Sequence, residues 1–283
     1  MLRIWLSELS FIGPVLAGRL LERFSSADAL RQADKNELMT VQGIGEKRAE
    51  EIIINNDFTK AESIYESCIS TGINPRGPAD PLFKGKLMLL SEPPVIVYTK
   101  GICGPDIFSK TAGIVGSRRC TRLTRDETIN IADKFAGNGY TIISGMARGV
   151  DSYAHTAAVK KDCPTVAVLG CGVDICYPPE HITLMDRILE HGLIISEYPP
   201  GTPPTVYTFP RRNRLIAALS DLLIITAAAE KSGSLTTAEE AAKLNKAIYV
   251  PSEPCDRDHA GCVALIEEGR AYALSDTKSL LPS

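Results

Sequence analysis

From Ala112 onward the chain is punctuated by short apolar, β-branched runs, and that regularity restricts its fold more than any other feature. Gly113–Val115, Thr141–Ile143, Thr165–Leu169, Leu193–Ile195, Leu222–Ile225 and Ile248–Val250 are separated by amphipathic stretches of helical period. Strands that alternate with helices pair in parallel, because each helical crossover returns the chain in the same direction. The fold class read from this pattern is α/β with a mostly parallel sheet. Thr124 with Glu127 and Thr236 with Glu239 have capping-box spacing and mark two helix starts.

Residues 1–73 follow another rule. They lack β-rich runs, and Val15, Leu16, Leu20, Leu21 and Phe24 fall on one helical stripe while Ile52, Ile53 and Ile54 close a further helix. This segment reads as a small all-helical domain. Within it, Val41-Gln42-Gly43-Ile44-Gly45-Glu46-Lys47-Arg48-Ala49 has the spacing of a helix-hairpin-helix, since two glycines one residue apart permit a tight turn into a helix. The free amides of that helix start, with Lys47 and Arg48, suit a phosphate. The same turn serves equally as a packing element, and the sequence leaves both roles open. Phe11-Ile12-Gly13-Pro14, leading into Val15–Phe24, looks like a degenerate second copy. Residues 74–94 hold Pro75, Gly77, Pro78, Pro81, Gly85, Pro93 and Pro94, a density of breakers that suits a linker wrapped onto the next domain. Val95–Tyr98 then reads as a short strand joining the sheet. The division is 1–73 helical, 74–94 linker and 95–283 α/β.

Charge narrows the search for a ligand. With 31 Lys+Arg against 34 Asp+Glu the net charge is −3, so no global positive field gathers polyanions and any nucleic-acid site must be a local basic patch. The eight cysteines, at 68, 103, 120, 163, 171, 176, 255 and 262, form no CxxC pair, and His155, His181, His191 and His259 form no metal spacing. No metal is expected, burial is the ordinary role of such cysteines, and a reducing cytoplasm fits them. Apolar stretches such as Leu222–Ala229 fall short of the ~20 residues that span a bilayer, and nothing at the N-terminus reads as a signal peptide.

Ligands of an open parallel sheet bind beyond the carboxyl ends of its strands, so the loops after each strand carry the chemistry. These are Gly116-Ser117-Arg118-Arg119, Ser144-Gly145-Met146-Ala147-Arg148-Gly149 and Ser232-Gly233-Ser234. Small residues let backbone amides approach an anion, serine hydroxyls add donors, and guanidinium groups add charge and a bidentate fork. Phosphate is the ligand class implied. No loop spells GxGxxG, since Gly170-Cys171-Gly172-Val173-Asp174 lacks the third glycine and the opening helix, and GxxxxGK[ST] is absent. Neither a dinucleotide cofactor nor a P-loop nucleotide is expected. The densest positive charge is Phe209-Pro210-Arg211-Arg212-Asn213-Arg214, with a second group at Arg118, Arg119, Arg122 and Arg125. Cations at a helix start oppose its macrodipole, and a bound polyanion would justify three of them there. Tyr207 and Phe209 offer faces on which unpaired bases stack, although Phe209 serves equally well as a core residue. Asp151 and His155, four apart, read as packing or capping groups, because no third ligand or nucleophile lies near them in sequence.

Taken in order, Ile114-Val115-Gly116-Ser117-Arg118, Ser144 to Asp151 with Ala154-His155, Ala167-Val168-Leu169-Gly170, Tyr177-Pro178, Ile195-Ser196-Glu197, Phe209 to Arg214 and Ser232-Gly233-Ser234-Leu235 resemble the DNA-processing protein A family, DprA/Smf. The match runs over roughly residues 95–275, and the helical segment is similar to the SAM-like domain that precedes the Rossmann domain there. The resemblance implies an extended Rossmann-like fold that binds single-stranded DNA, loads a RecA-type recombinase in natural transformation and recombination, and performs no catalysis. It implies a DNA groove lined by Gly116, Ser117, Arg118, Arg119, Ser144, Gly145, Arg148, Phe209, Arg211, Arg212, Asn213, Arg214, Ser232, Gly233 and Ser234. It also implies a homodimer through the C-terminal part of the sheet, where Ile248–Val250, with Val263, Leu265 and Ile266, reads as the terminal unit whose edge needs cover.

Three departures stand out. Ala227 occupies a position where the family usually has a glutamate, Ser252 follows Pro251 where a glycine is usual, and a chain of 283 residues leaves no room for the winged-helix domain of many members. A second resemblance gives an alternative of another class. Gly233, Thr237, Glu239 and Glu240 fit a degraded version of the PGGxGTxxE loop of lysine-decarboxylase-like phosphoribohydrolases, which would make the chain a nucleotide-processing hydrolase. The Arg211–Arg214 cluster offers more charge than one nucleotide phosphate needs, and fold alone carries no activity.

Overall fold

The helical stripes of the N-terminal segment become six helices, α1 (Leu2–Glu8), α2 (Pro14–Arg23), α3 (Ala27–Gln32), α4 (Lys35–Met39), α5 (Glu46–Ile54) and α6 (Thr59–Ser70). The computed structural model describes residues 1–252 and 259–274, so Cys255 lies outside the described residues. The stripe of α2 buries Leu16 and Leu20, with Phe24 just beyond it, and leaves Val15 exposed. The short α4 is held by an Asp34–Glu37 capping box with both arms formed.

The rest of the chain forms one sheet of nine strands among the described residues. Its elements are β1 (Asn74–Arg76), β2 (Val97–Gly101), β3 (Thr111–Gly116), α7 (Arg122–Gly137), β4 (Thr141–Ser144), α8 (Val150–Lys160), β5 (Thr165–Leu169), α9 (Ile182–His191), β6 (Leu193–Ser196), α10 (Thr208–Leu219), β7 (Leu222–Ala227), α11 (Gly233–Lys243), β8 (Ala247–Pro251), α12 (Ala260–Glu267) and β9 (Tyr272–Leu274). The strand order is β1-β2-β6-β5-β4-β3-β7-β8-β9. Strands β3 to β9 pair in parallel, and β1 and β2 add an antiparallel edge. The fold is a Rossmann-like α/β sheet preceded by a helical domain.

Alternation along the strands sorts the core, since successive side chains point to opposite faces. Ala112, Ile114, Ile142 and Ile224 pack with α7 and α8. Val115, Ile143, Val166, Val168, Leu223 and Ile225 face α10, α11 and α12. The helical domain is not a separate bead. Its core runs through Ile96 and Tyr98 into Ala167, Leu169, Ile194 and α9, and Arg3 Nη1 donates to Val95 O at 3.1 Å.

Several sequence expectations need correction. The segment 74–94 does wrap onto the α/β domain, with Phe83, Leu87 and Leu90 buried in its core, but its first residues are an edge strand rather than linker. The strand expected at Val95–Tyr98 sits at Val97–Gly101. Neither expected capping box starts a helix. Thr121 caps α7 through Thr124 N at 3.2 Å and Ser232 caps α11 through Ser234 N at 3.3 Å, which leaves Thr124 and Thr236 inside their helices. Nor does Ile248–Val250 end the sheet, because β9 pairs beyond it, Tyr249 opposite Tyr272.

Candidate nucleic-acid interface

The strand order changes direction between β3 and β7, which lie side by side although three strands separate them in sequence. At such a switch point the loops leaving neighbouring strands diverge to opposite faces and open a crevice at the carboxyl edge. Here that crevice is a groove of about 570 Å³. Gly116, Ser117 and Arg118 from the β3 loop form one wall, and Lys231, Ser232, Gly233 and Ser234, where α11 begins, form the other. Phe209, Pro210, Arg212 and Asn213 of α10 complete it, with Tyr177 and Val206 at the rim.

The walls are tied by hydrogen bonds. Ser117 N donates to Ala227 O at 2.8 Å, and Val150 N donates to Ser117 O at 3.1 Å. Gly149 permits this approach: its φ is +76°, and a Cβ there would meet Ser117 O at 2.3 Å. Asn213 Nδ2 bridges α10 to α11 by donating to Thr236 Oγ1 at 2.8 Å and Gly233 O at 3.2 Å. At the aromatic end Phe209 is half-buried against Gly170, with the Tyr177 ring 5.6 Å away and the Arg118 guanidinium 5.4 Å above its centre. Phe209 is thus a groove wall that carries a cation–π contact.

The arginine cluster divides in a way its sequence does not announce. Arg212 is only 5% exposed. Its Nη1 donates to Gly145 O at 2.7 Å and to Val168 O, so it forms the groove floor and pins the 144–149 loop. Burial lowers its pKa, and the nearby Asp151 carboxylate opposes that shift. Arg211 and Arg214 face away from the groove and share Glu197: Arg214 Nη2 lies 2.6 Å from Oε1, and Arg211 Nη2 lies 3.2 Å from the same oxygen. Of the three, Arg211 alone is exposed. The cations at the start of α10 are therefore largely consumed by internal partners, which corrects the expectation of one free basic patch.

Four other candidates lie outside the groove lining. Ser144 is buried and donates to Ile114 O at 2.6 Å, and Gly145 N donates to Asp151 Oδ2 at 3.2 Å. Arg119 is exposed beside the groove, and Arg148 is exposed and paired with Glu180. Lys231, Tyr177, Val206, Thr236 and Thr237 line the groove without having been singled out as site residues. Lys231 adjoins the Ser232 loop, and its place there was the available signal. Glu239, needed by a hydrolase, is exposed and not among the lining residues.

Asp151, which also lines the groove, and His155 both make internal contacts. The Asp151 carboxylate accepts from Gly145 N and Ala147 N, and burial raises its pKa. The Thr165 hydroxyl donates to Ile142 O at 2.8 Å, so it accepts from His155 Nδ1 at 2.7 Å. The ring proton therefore sits on Nδ1 and leaves Nε2 unpartnered among the described residues. Burial pushes the imidazole down to about 3, with His181 and Arg212 adding to the effect. No metal-binding cluster occurs among the described residues, and none of their helices is long and apolar enough to cross a membrane.

Residues 76–283 match the model of the DNA recombination-mediator protein A family, and residues 6–55 match that of the SAM-like helix-hairpin-helix tandem. Protein Smf of Synechocystis is 34% identical over 282 residues, 98% of this chain and 71% of that one. The crystal structure of DprA from Streptococcus pneumoniae superposes with a TM-score of 0.82 at 27% identity, covering 98% of this chain and 95% of the other. DNA processing protein A from Helicobacter pylori, whose structure concerns its single-stranded DNA binding mode, gives 0.64 at 33% identity, covering 69% and 89%.

Proposed function

Because this chain belongs to the DNA recombination-mediator protein A family, we propose that it binds single-stranded DNA in the groove between β3 and β7 and hands the strand to a RecA-type recombinase in natural transformation and recombination. The observation that carries the reading is the pairing of an aromatic platform with phosphate donors. Phe209 and Tyr177 stand at one end, and Arg118, Lys231 and the serine-rich start of α11 flank them. Unpaired bases stack on such a platform while cations and amides track the backbone, whereas the bases of a duplex present no free face. The proposed binding set is Gly116, Ser117, Arg118, Phe209, Asn213, Lys231, Ser232, Gly233 and Ser234. Binding is proposed without catalysis.

The protein is further proposed to act as a homodimer in a cytoplasmic setting, with β9 as the contact edge. Tyr272 is 66% exposed on the outermost of the described strands, and a sheet edge invites pairing with a second copy. A single ~30 kDa species in sedimentation at micromolar concentration would remove the dimer.

The central reading is tested by filter binding with single-stranded, duplex and mononucleotide competitors. Single strands should compete best. Equal competition by a mononucleotide would favour the hydrolase alternative, and equal competition by duplex would reject the stacking platform.

A further inference from the structure

A second cleft, of about 1020 Å³, lies between the helical domain and the loop after β6. Ser7, Ser10 and Gly13 form one wall, and Glu197 to Pro203 form the other. It opens at the carboxyl end of β6, the same edge of the sheet that carries the groove, and the two are separated by the start of α10. Phe209, Pro210 and Arg212 face the groove, whereas Arg211 and Arg214 face the cleft.

The charges of the cleft are unequally committed. Glu8 pairs with Lys60. Glu197, 8% exposed, is neutralised by Arg214, 15% exposed, which also donates to Glu92 O at 2.9 Å. Arg211 is the third member of that cluster, 3.2 Å from a carboxylate oxygen that Arg214 already holds, and its side chain is 55% exposed. One carboxylate shared by two guanidiniums leaves that cluster one positive charge in surplus, which Glu92 offsets over the cleft lining as a whole, and the exposed partner is the one an incoming anion can take over. Facing it is the start of α2, whose N-cap Gly13 offers no side chain to satisfy the helix amides.

We propose that this interdomain cleft is a second subsite for the sugar-phosphate backbone of single-stranded DNA. On the reading given above for the groove, a strand leaving it passes over Pro210 and places a phosphate on Arg211, with the helical domain as the opposite wall. Short strands fill the groove alone, and longer ones engage both domains. The exposed Glu92 side chain, also in the cleft, opposes the longer strand.

The test is a length series of thymidine oligonucleotides, from about 4 to about 15 residues, the span of typical single-strand sites, bound to wild type, Arg211→Ala, Glu92→Gln and Ser10→Glu. All three substitutions are at exposed positions. Arg211→Ala should leave the shortest oligonucleotide unaffected, weaken the longest about fivefold, and shallow its salt slope by about 0.7, the value for one phosphate on a single strand. Ser10→Glu should weaken the longest strand and Glu92→Gln should strengthen it, both without effect on the shortest. Equal behaviour of the variants and wild type on long strands would overturn the cleft. Equal weakening of short and long strands by Arg211→Ala would also overturn it, since Arg211 would then serve the groove. Failure of wild type to bind even the longest strand would instead overturn the groove reading on which the cleft rests.

Discussion

Replacing Arg214 by alanine separates two accounts of the arginine cluster. If Arg214 were a free phosphate ligand, its loss would cost affinity and little stability. In the fold it is 15% exposed and holds both oxygens of Glu197, itself 8% exposed, while donating to Glu92 O. Removing one partner of a fully buried ion pair costs about 3–5 kcal/mol, chiefly because the other charge is left without compensation. Arg211 still reaches Glu197 at 3.2 Å, and the pair keeps some access to water, so about 2–3 kcal/mol is the reasoned loss. For a chain of this size that lowers Tm by roughly 5–10 °C. Arg211→Ala, at an exposed pair, should cost under about 0.5 kcal/mol. The assay is urea and thermal unfolding followed by circular dichroism, with Glu197→Gln completing a double-mutant cycle. The two positions should couple by more than about 1 kcal/mol. An Arg214→Ala protein of wild-type stability and strongly reduced DNA affinity would refute the internal role.

The platform predicts a different coupling: Phe209→Ala should cost ~1–3 kcal/mol of binding, and because Arg118 lies over that ring, filter binding should show Arg118→Ala and Phe209→Ala together losing less than the sum of the single losses. Additive losses would mean the two do not act as one stack. His155 supplies a pH prediction. Its folded pKa of about 3 lies below the unfolded value near 6.5, so its contribution to stability is complete above about pH 6.5 and is lost as pH falls toward 3, amounting to about 2 kcal/mol by pH 5. Urea unfolding of His155→Gln should show a pH 7 to pH 5 decline smaller by about that amount, and an identical decline would reject the neutral imidazole. Gly149→Ala forces a Cβ onto Ser117 O at a positive φ; it should cost ~1–3 kcal/mol of stability and weaken strand binding, and an unaltered protein would mean that the loop relaxes freely.

Legibility in the sequence followed how local each determinant is. The strand Thr165–Leu169 stands where it was read, because Pro164 and Gly170 bound a β-branched run on both sides. β9 was not legible, since Tyr272-Ala273-Leu274 is three residues without a pattern and exists by pairing with β8. The capping boxes failed for a related reason. Thr-x-x-Glu spacing is satisfied wherever it falls, and the choice of Thr121 over Thr124 depends on where the chain leaves β3. The one box with both arms formed among the described residues, Asp34 with Glu37, begins a helix of five residues whose apolar period is too short to attract notice.

The site shows the same division more sharply. The β3 loop and the start of α11 were legible because strand-end position and small residues are properties of the sequence itself, whereas the 144–149 loop gives the lining only Ala147. The fate of the arginines was not, because it is decided by partners distant in the chain: Glu197 for Arg211 and Arg214, Gly145 and Val168 for Arg212. A net charge of −3 already restricts how much positive surface the chain presents, and the fold uses two of its three α10 arginines to hold its own loops. Arg118 and Lys231 remain the exposed cations among the described groove residues. If the groove takes single-stranded DNA as proposed, few phosphates are neutralised there and counterion release supplies a limited part of the affinity. The aromatic platform and the backbone amides must supply more, and those respond to whether bases are unpaired rather than to charge alone. On the proposed reading, the economy of free arginines is thus itself a reason to expect a preference for single strands, since a duplex has twice the backbone charge to offer and few free arginines to receive it.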